Sequence, residues 1–398
     1  MRRIVLAVIM TYATAVAYAG TGDPGQAADE GLSKTFSKSF PADRGDKIVI
    51  SNQYGSTQVK TWDRKEVKVD AEIRAYSTKE GEARKLLDDV VIEAGKSGDQ
   101  IVFKTKMDQG GDWGSGSKWG KKWRREVKID YVVYLPASNS LTMSQNYGNI
   151  TMGDFSGPLY IKVQYGNLNA GNLDNNSNYV SVQYGNTNIA RLSNATVKQQ
   201  YGSGLNISAG GTLDIDAQYT AVNLGSLSGD LRIKQQYGAG LTIASVDNLD
   251  LNAQYTNVKI NTIKGNAQIR QQYNNLSIGS AGKISLNAQY TGTSIGSLKG
   301  DGSFNMQYNN LNISNISQAC KTLVIDGGYL NINLGFVSGY DADLEVRTSY
   351  AGFNYGDGVS VKTSGNDSGT SKNYTGRIGK GGGGSVRIKS DYGGVTIK

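Results

Sequence analysis

Between positions 113 and 125 the chain gathers three indoles and five cations: Trp113, Lys118, Trp119, Lys121, Lys122, Trp123, Arg124 and Arg125. Tryptophan beside clustered Lys and Arg suits an anionic polymer or a membrane surface. The cations attract at a distance, and the rings add stacking and cation–π contact at close range. The formal charge is +8, or +6 once Arg2 and Arg3 are set aside, and these five side chains carry +5 of it. The basic excess is therefore local. The same residues also fit a solvated hairpin tip whose rings fold back on the neighbouring strand, and no helical spacing marks a membrane-lying helix.

Reactive chemistry is otherwise sparse. The sequence contains no histidine, which excludes Ser–His and Cys–His nucleophile pairs and histidine-held metals. Asp214, Asp216 and Asp250 are the carboxylates nearest to a glycosidase-type arrangement, but they stand at outward strand positions among polar neighbours and would have to meet across adjacent coils. No recurring Gly-Gly-x-Gly-x-Asp marks a calcium roll, and no glycine loop ends in Lys-Ser or Lys-Thr to cradle phosphate. The single cysteine, Cys320, can make no internal disulfide and reads as a small buried residue. No cofactor or metal is expected, and the chain reads as a non-enzyme.

The elements that must position these residues follow from a repeat. A tyrosine returns every 17 to 19 residues at Tyr147, Tyr165, Tyr184, Tyr201, Tyr219, Tyr237, Tyr255, Tyr273, Tyr290 and Tyr308, and each is preceded by Gln except at Asn146. Leu231, Ile233, Leu241 and Ile243 alternate with polar residues around Gln236-Tyr237-Gly238, a period of two and therefore strand. Eighteen residues are too few for a helix pair and suffice for one coil of a parallel β-solenoid, or β-helix, in which stacking supplies the core that no coil has alone. The fold class expected is all-β, with right-handed winding as the default for parallel crossovers. Coils stacked at ~4.8 Å would bring equivalent tyrosines into stacking range.

Parity places the ring of Tyr255 on the face of Leu249, Leu251 and Ala253, so the ladder of Tyr165 to Tyr308 is expected mostly on the core side, with the glutamines outward. Two before the tyrosine, Gln199, Ala217, Gln235, Ala253, Gln271 and Ala288 alternate long and small, which makes the true repeat a pair of coils. The ladder can serve as a structural filler or as a flat aromatic–amide recognition face.

Along the chain, residues 1–19 carry Arg2, Arg3, an apolar run and Ala17-Tyr18-Ala19 before Gly20, the pattern of a secretory signal peptide. Residues 20–35 read as a flexible leader. Residues 36–136 hold a first coil around Gln53-Tyr54-Gly55 and a small α+β layer, whose helix should open at the capping box Ser77-Thr78-Lys79-Glu80. Residues 137–398 form the solenoid, ending in a closing coil around Asp391-Tyr392-Gly393. No later apolar run reaches the ~18 residues of a membrane span.

This plan of an early strand unit, a strand-helix excursion over residues 67–90, the segment Val127-Lys-Ile-Asp-Tyr-Val-Val-Tyr-Leu-Pro136 and reiterated glycine-rich strand units resembles the bacterial putative adhesin family of β-strand-repeat domains. That family is a relative of the auto-transporter adhesin head domains. The resemblance implies a β-helical protein at the cell envelope, in the periplasm, on the outer surface or outside the cell. The partners it suits are an envelope glycan, an anionic surface or another protein, and nothing points to nucleic acid. The alternatives are a polysaccharide-modifying enzyme on a β-helix scaffold and a flat-ladder surface-binding module like the ice-binding solenoids.

Overall fold

The computed structural model describes residues 30–107, 114–118, 121–364 and 370–398. The signal peptide expected over residues 1–19 lies outside them. Among the described residues there are 32 strands and one helix. Stacked parallel strands about 18 residues apart form the expected β-solenoid, in two compact units, residues 1–185 and 186–398.

In the first unit, β1 (Glu30–Pro41) begins inside the expected leader, and Glu30 to Thr35 pair antiparallel with Ser77 to Glu72. The leader is thus shorter than its polar composition suggests, because the partner strand satisfies its backbone. The strands β2 (Lys47–Gln53) and β3 (Thr57–Thr61) flank Tyr54 and form the first coil. The excursion that follows comprises β4 (Glu66–Ser77), helix α1 (Glu82–Asp89), β5 (Val91–Ser97), β6 (Gln100–Lys106), β7 (Gly114–Lys118) and β8 (Lys121–Leu135). It returns to lay β6 and β8 parallel along the outer edges of β2 and β3, while the strands Ser140–Asn146 and Ile150–Met152 occupy the inner edges. Covering the outer edge removes a row of open backbone groups that would otherwise template association.

The helix starts four residues later than the capping box implies, with Gly81 in place of Ser77 as its N-cap. Gly81 stands at φ +68°, with no side-chain cap. Ser77 Oγ is engaged elsewhere, accepting the Lys79 N–H at 3.0 Å and bonding the Glu82 carboxylate. Ala83, Leu86 and Leu87 bury the inner face of α1, and the Lys34 ammonium donates to the carbonyls of Leu87 and Val90 at its end.

In the second unit the coils from Tyr201 to Tyr290 have one strand before the tyrosine and one after, whereas a single strand runs through Tyr308 and another through Tyr329. Leu213–Gln218, Leu231–Gln236 and Leu249–Gln254 run parallel in unbroken register, as do the strands following Tyr219, Tyr237 and Tyr255. Leu231, Ile233, Leu241, Ile243, Leu249 and Leu251 are all 0–3% exposed. The period-two reading therefore holds along the strands.

It fails at the tyrosines of the coil corners. Each of these fourteen, from Tyr54 to Tyr392, has φ between +51° and +63°, the left-handed region. A strand alternates sides only while its backbone is extended, and the turn at each tyrosine swings the ring off the core face. The corner rings from Tyr147 to Tyr392 are 38–59% exposed, which corrects the expectation of a core-side ladder. The side chain that does enter the core is the one two residues earlier: Gln145, Gln199, Ala217, Gln235, Ala253, Gln271 and Ala288 are all 0–1% exposed.

The C-terminal coil is also placed unexpectedly. Strand Ser385–Asp391 lies between Thr322–Phe336 and Ala342–Ser349, parallel to both, so it is an inner coil and not the closing one. The outer edge of Ala342–Ser349 is covered by the antiparallel strand Ser371–Ile378, which pairs in turn with Val359–Ser364. Two parallel edges satisfy both backbone faces of the inserted strand, a pairing that no local sequence pattern encodes.

Candidate recognition face

The corner tyrosines of each unit form a column. In the first unit Tyr54, Tyr147, Tyr165 and Tyr184 stack with centroids 4.8–5.2 Å apart and planes within 6°. In the second, Tyr201, Tyr219, Tyr237, Tyr255, Tyr273, Tyr290, Tyr308, Tyr329, Tyr392 and Tyr350 follow one another at 4.5–5.4 Å and within 10°. The spacing is the strand repeat imposed on the rings, and it falls in the range that favours aromatic pairs. The columns extend past the ladder read from the sequence to Tyr54, Tyr329, Tyr350 and Tyr392, the first and last of which stand in the same Gln/Asp-Tyr-Gly setting.

Beside the rings runs a row of amides. Gln236 Nε2 donates to Gln254 Oε1 at 2.9 Å and Gln254 to Gln272 at 3.3 Å, and Gln164 donates to Gln183 at 3.4 Å in the first unit. Ring faces within a column are used against each other, so the surface offers ring edges, hydroxyls and amides at a repeat near 5 Å. The phenol of Tyr255 is held above its ordinary pKa by its hydrogen bond with Tyr273, and that of Tyr290 by the charge of Tyr308. Both phenols are therefore uncharged at neutral pH. The face can donate and accept hydrogen bonds along a line.

Beneath the column, Gln235 and Gln271 fix the corner. Gln235 Nε2 donates to the carbonyls of Thr220 and Gly240, and Gln271 Nε2 to those of Thr256 and Asn275. A Cβ on Gly238 would sit 2.2 Å from Gln235 Nε2, which is why glycine follows the tyrosine in that coil. Where the long residue is replaced by Ala217, Ala253 or Ala288, buried Thr220, Thr256 or Thr291 follows the tyrosine.

The Trp/cation cluster is a hairpin, with β7 antiparallel to residues 121–125 of β8. Trp113 and Trp119 lie outside the described residues, as do the side chains of Lys118 and Lys121. Trp123 folds back: a Cβ at Gly116 would stand 2.9 Å from its indole nitrogen. Arg124 sits 3.7 Å from the centroid of Tyr76 and bonds Glu126 at 2.9 Å, and Arg125 is 3.3 Å from Glu82. Lys122 is exposed. Two of the five cations are thus committed to internal carboxylates.

Asp214 and Asp216 stand two apart on the outward side of one strand, and Asp250 is not brought against Asp214. Asp214, Arg232 and Asp250 occupy successive positions of one column, so a guanidinium separates the carboxylates, and Asp250 lies 3.7 Å from both Arg232 and Arg270. The described residues contain no cluster of three or more His, Cys, Asp or Glu able to hold a metal ion, and no helix long and apolar enough to cross a membrane.

No family model matches the chain, and no curated protein matches it. Among solved structures it is similar to a putative cell adhesion protein from Clostridium sporogenes, at 8% identity over 92% of this chain and 99% of the other, with a TM-score of 0.20. A putative adhesin from Bacteroides fragilis matches at 8% identity over 92% and 97% of the two chains, with a TM-score of 0.18. A putative adhesin from Parabacteroides distasonis matches at 14% identity over 92% and 96%, with a TM-score of 0.16. At these scores, the reading of the face rests on its own geometry.

Proposed function

We propose that this chain is a non-enzymatic, exported cell-envelope protein, an adhesin-like β-solenoid that presents its tyrosine–glutamine face to a partner. The observation that carries this reading is the exposed column of stacked tyrosines in each unit, with its row of amides. Half-exposed aromatic side chains in unbroken succession are a costly surface for a soluble protein to keep unless they are used. An uncharged line of hydroxyls and amides suits a neutral, hydroxyl-rich envelope glycan lying along the column, ahead of an anionic surface or another protein. The export part of the reading rests on the pattern of residues 1–19.

The test is binding of the purified chain to neutral glycans, anionic glycans and purified cell-wall polymer. It is compared with a variant carrying Phe at Tyr219, Tyr237 and Tyr255, which keeps the stacked rings and removes three hydroxyls. Retention by neutral polymer, reduced several-fold in the Phe variant at an unchanged melting temperature, supports the proposal. No retention of the wild type by any polymer overturns it, and shortening of the glycan during incubation would assign a polysaccharide-modifying enzyme instead.

A further inference from the structure

The coil that carries Tyr392 stands out of chain order. Ile388 registers against Ile325 on one side and Val346 on the other, and the short strand Val395–Ile397 lies in the same way between Ile332–Leu334 and Phe353–Tyr355. Its ring separates Tyr329 from Tyr350, which are neighbours in the chain's own order of coils. Val386, Ile388, Val395 and Ile397 are 0–2% exposed. On the outer face, Arg387 faces Glu345 at 3.9 Å and Lys389 faces Asp326 at 3.6 Å, so a basic strand sits between walls that each offer an acid. The joint to the preceding strand is Gly379-Lys-Gly-Gly-Gly-Gly384, with Gly379, Gly381 and Gly382 at φ +59°, +81° and +74°.

We propose that residues 385–398 are an exchangeable coil, and that the slot between Thr322–Phe336 and Ala342–Ser349 takes the same segment from a second copy of this chain. The occupant follows from the slot: its apolar sockets, register and charges are those of this segment, so a second copy makes identical contacts. Domain swapping of this kind costs little in contacts and needs a joint that can open, which the glycine run supplies. Main-chain bonds give such strand donation its affinity and the alternate side-chain pockets its specificity. Joined copies would present several tyrosine faces at once.

Val324 and Arg387 are direct partners in register, and both are exposed. Full-length chains carrying V324C or R387C, each with C320S, are mixed over a range of concentrations and oxidised. A disulfide-linked heterodimer can form at this register only when the coil of one chain occupies the slot of the other. The expected result is a heterodimer yield that rises with protein concentration and exceeds, several-fold, that of V324C mixed with the exposed control R232C. A yield equal to the control overturns the proposal. In a second arm, the full-length double variant V386D/I388D is titrated with a labelled peptide of residues 385–398. Saturable binding that is lost when the peptide carries the same two aspartates supports exchange, and no binding by a variant that still melts cooperatively overturns it. Where that variant does not fold, the cysteine pair decides alone.

Discussion

Gln235 donates its side-chain amide to the backbone carbonyl of Thr220 in the preceding coil, at 3.0 Å, while itself 0% exposed. The glycine that gives it room, Gly238, donates its own N–H to Thr256 Oγ1 at 3.0 Å in the following coil. Long and short corners are therefore interlocked, and one cannot be changed alone. Gln235→Ala should cost about 1–3 kcal/mol through the lost buried hydrogen bonds. Gly238→Thr should cost at least as much by displacing the amide. The double change, which reproduces the Ala253/Thr256 pattern, should cost less than the two single costs added, a coupling that urea denaturation of the four proteins measures.

Tyr255 is 43% exposed and stacked on both sides, so removing its ring forfeits two aromatic pairs at about 0.5–1.5 kcal/mol each and opens no core cavity. Tyr255→Ala is therefore expected to cost less than Leu251→Ala, for which about 2–5 kcal/mol is usual at a fully buried site. Because the position is left-handed at φ +54°, Tyr255→Gly should be no less stable than Tyr255→Ala. Thermal melts that rank glycine well below alanine would refute this account of the corner.

Tyr131 lies inside the first unit, its hydroxyl 2.7 Å from Thr105 Oγ1, and burial pushes its pKa up to about 12. The unfolded chain releases that proton near pH 10. Between these values the unfolded state binds fewer protons, so stability is full below pH 10 and falls as pH rises toward 12, by about 3 kcal/mol at most. Burial likewise raises the Cys320 thiol to about 11, with the same sign. Tyr131→Phe should flatten the alkaline loss in a denaturation series from pH 8 to 12, and a slope equal to that of the wild type would show that this proton is not involved.

The hairpin of β7 and β8 is testable as a second contact surface. Replacing Lys118, Lys121 and Lys122 with Ser should weaken binding to anionic liposomes or anionic glycan mainly at low salt, since exposed charges are screened beyond ~8 Å at physiological ionic strength. Replacing Arg125 should instead lower the melting temperature, because its partner Glu82 is only 22% exposed. Co-sedimentation across a salt series checks the first, and wild-type protein that never sediments with either ligand would remove the hairpin from consideration.

The sequence by itself determined the coil. The 18-residue return of tyrosine and the alternation of Leu231, Ile233, Leu241 and Ile243 dictate strand, parallel stacking and the aliphatic core, because burial and period act locally and identically in every repeat. The alternation of Gln235 with Ala217 and Ala253 was legible as a two-coil repeat, although its hydrogen bonds were not. Only the tertiary structure decided where the rings point, since parity presumes an extended backbone and each corner tyrosine turns through the left-handed region. It also decided that the coil of Tyr392 lies between those of Tyr329 and Tyr350: strand edges are satisfied by whichever partner reaches them, and every coil here carries the same alternating pattern. The cations of the Trp-rich segment were visible as a cluster, but the pairing of Arg125 with Glu82 depends on α1 packing beside β8, a contact between residues 43 positions apart.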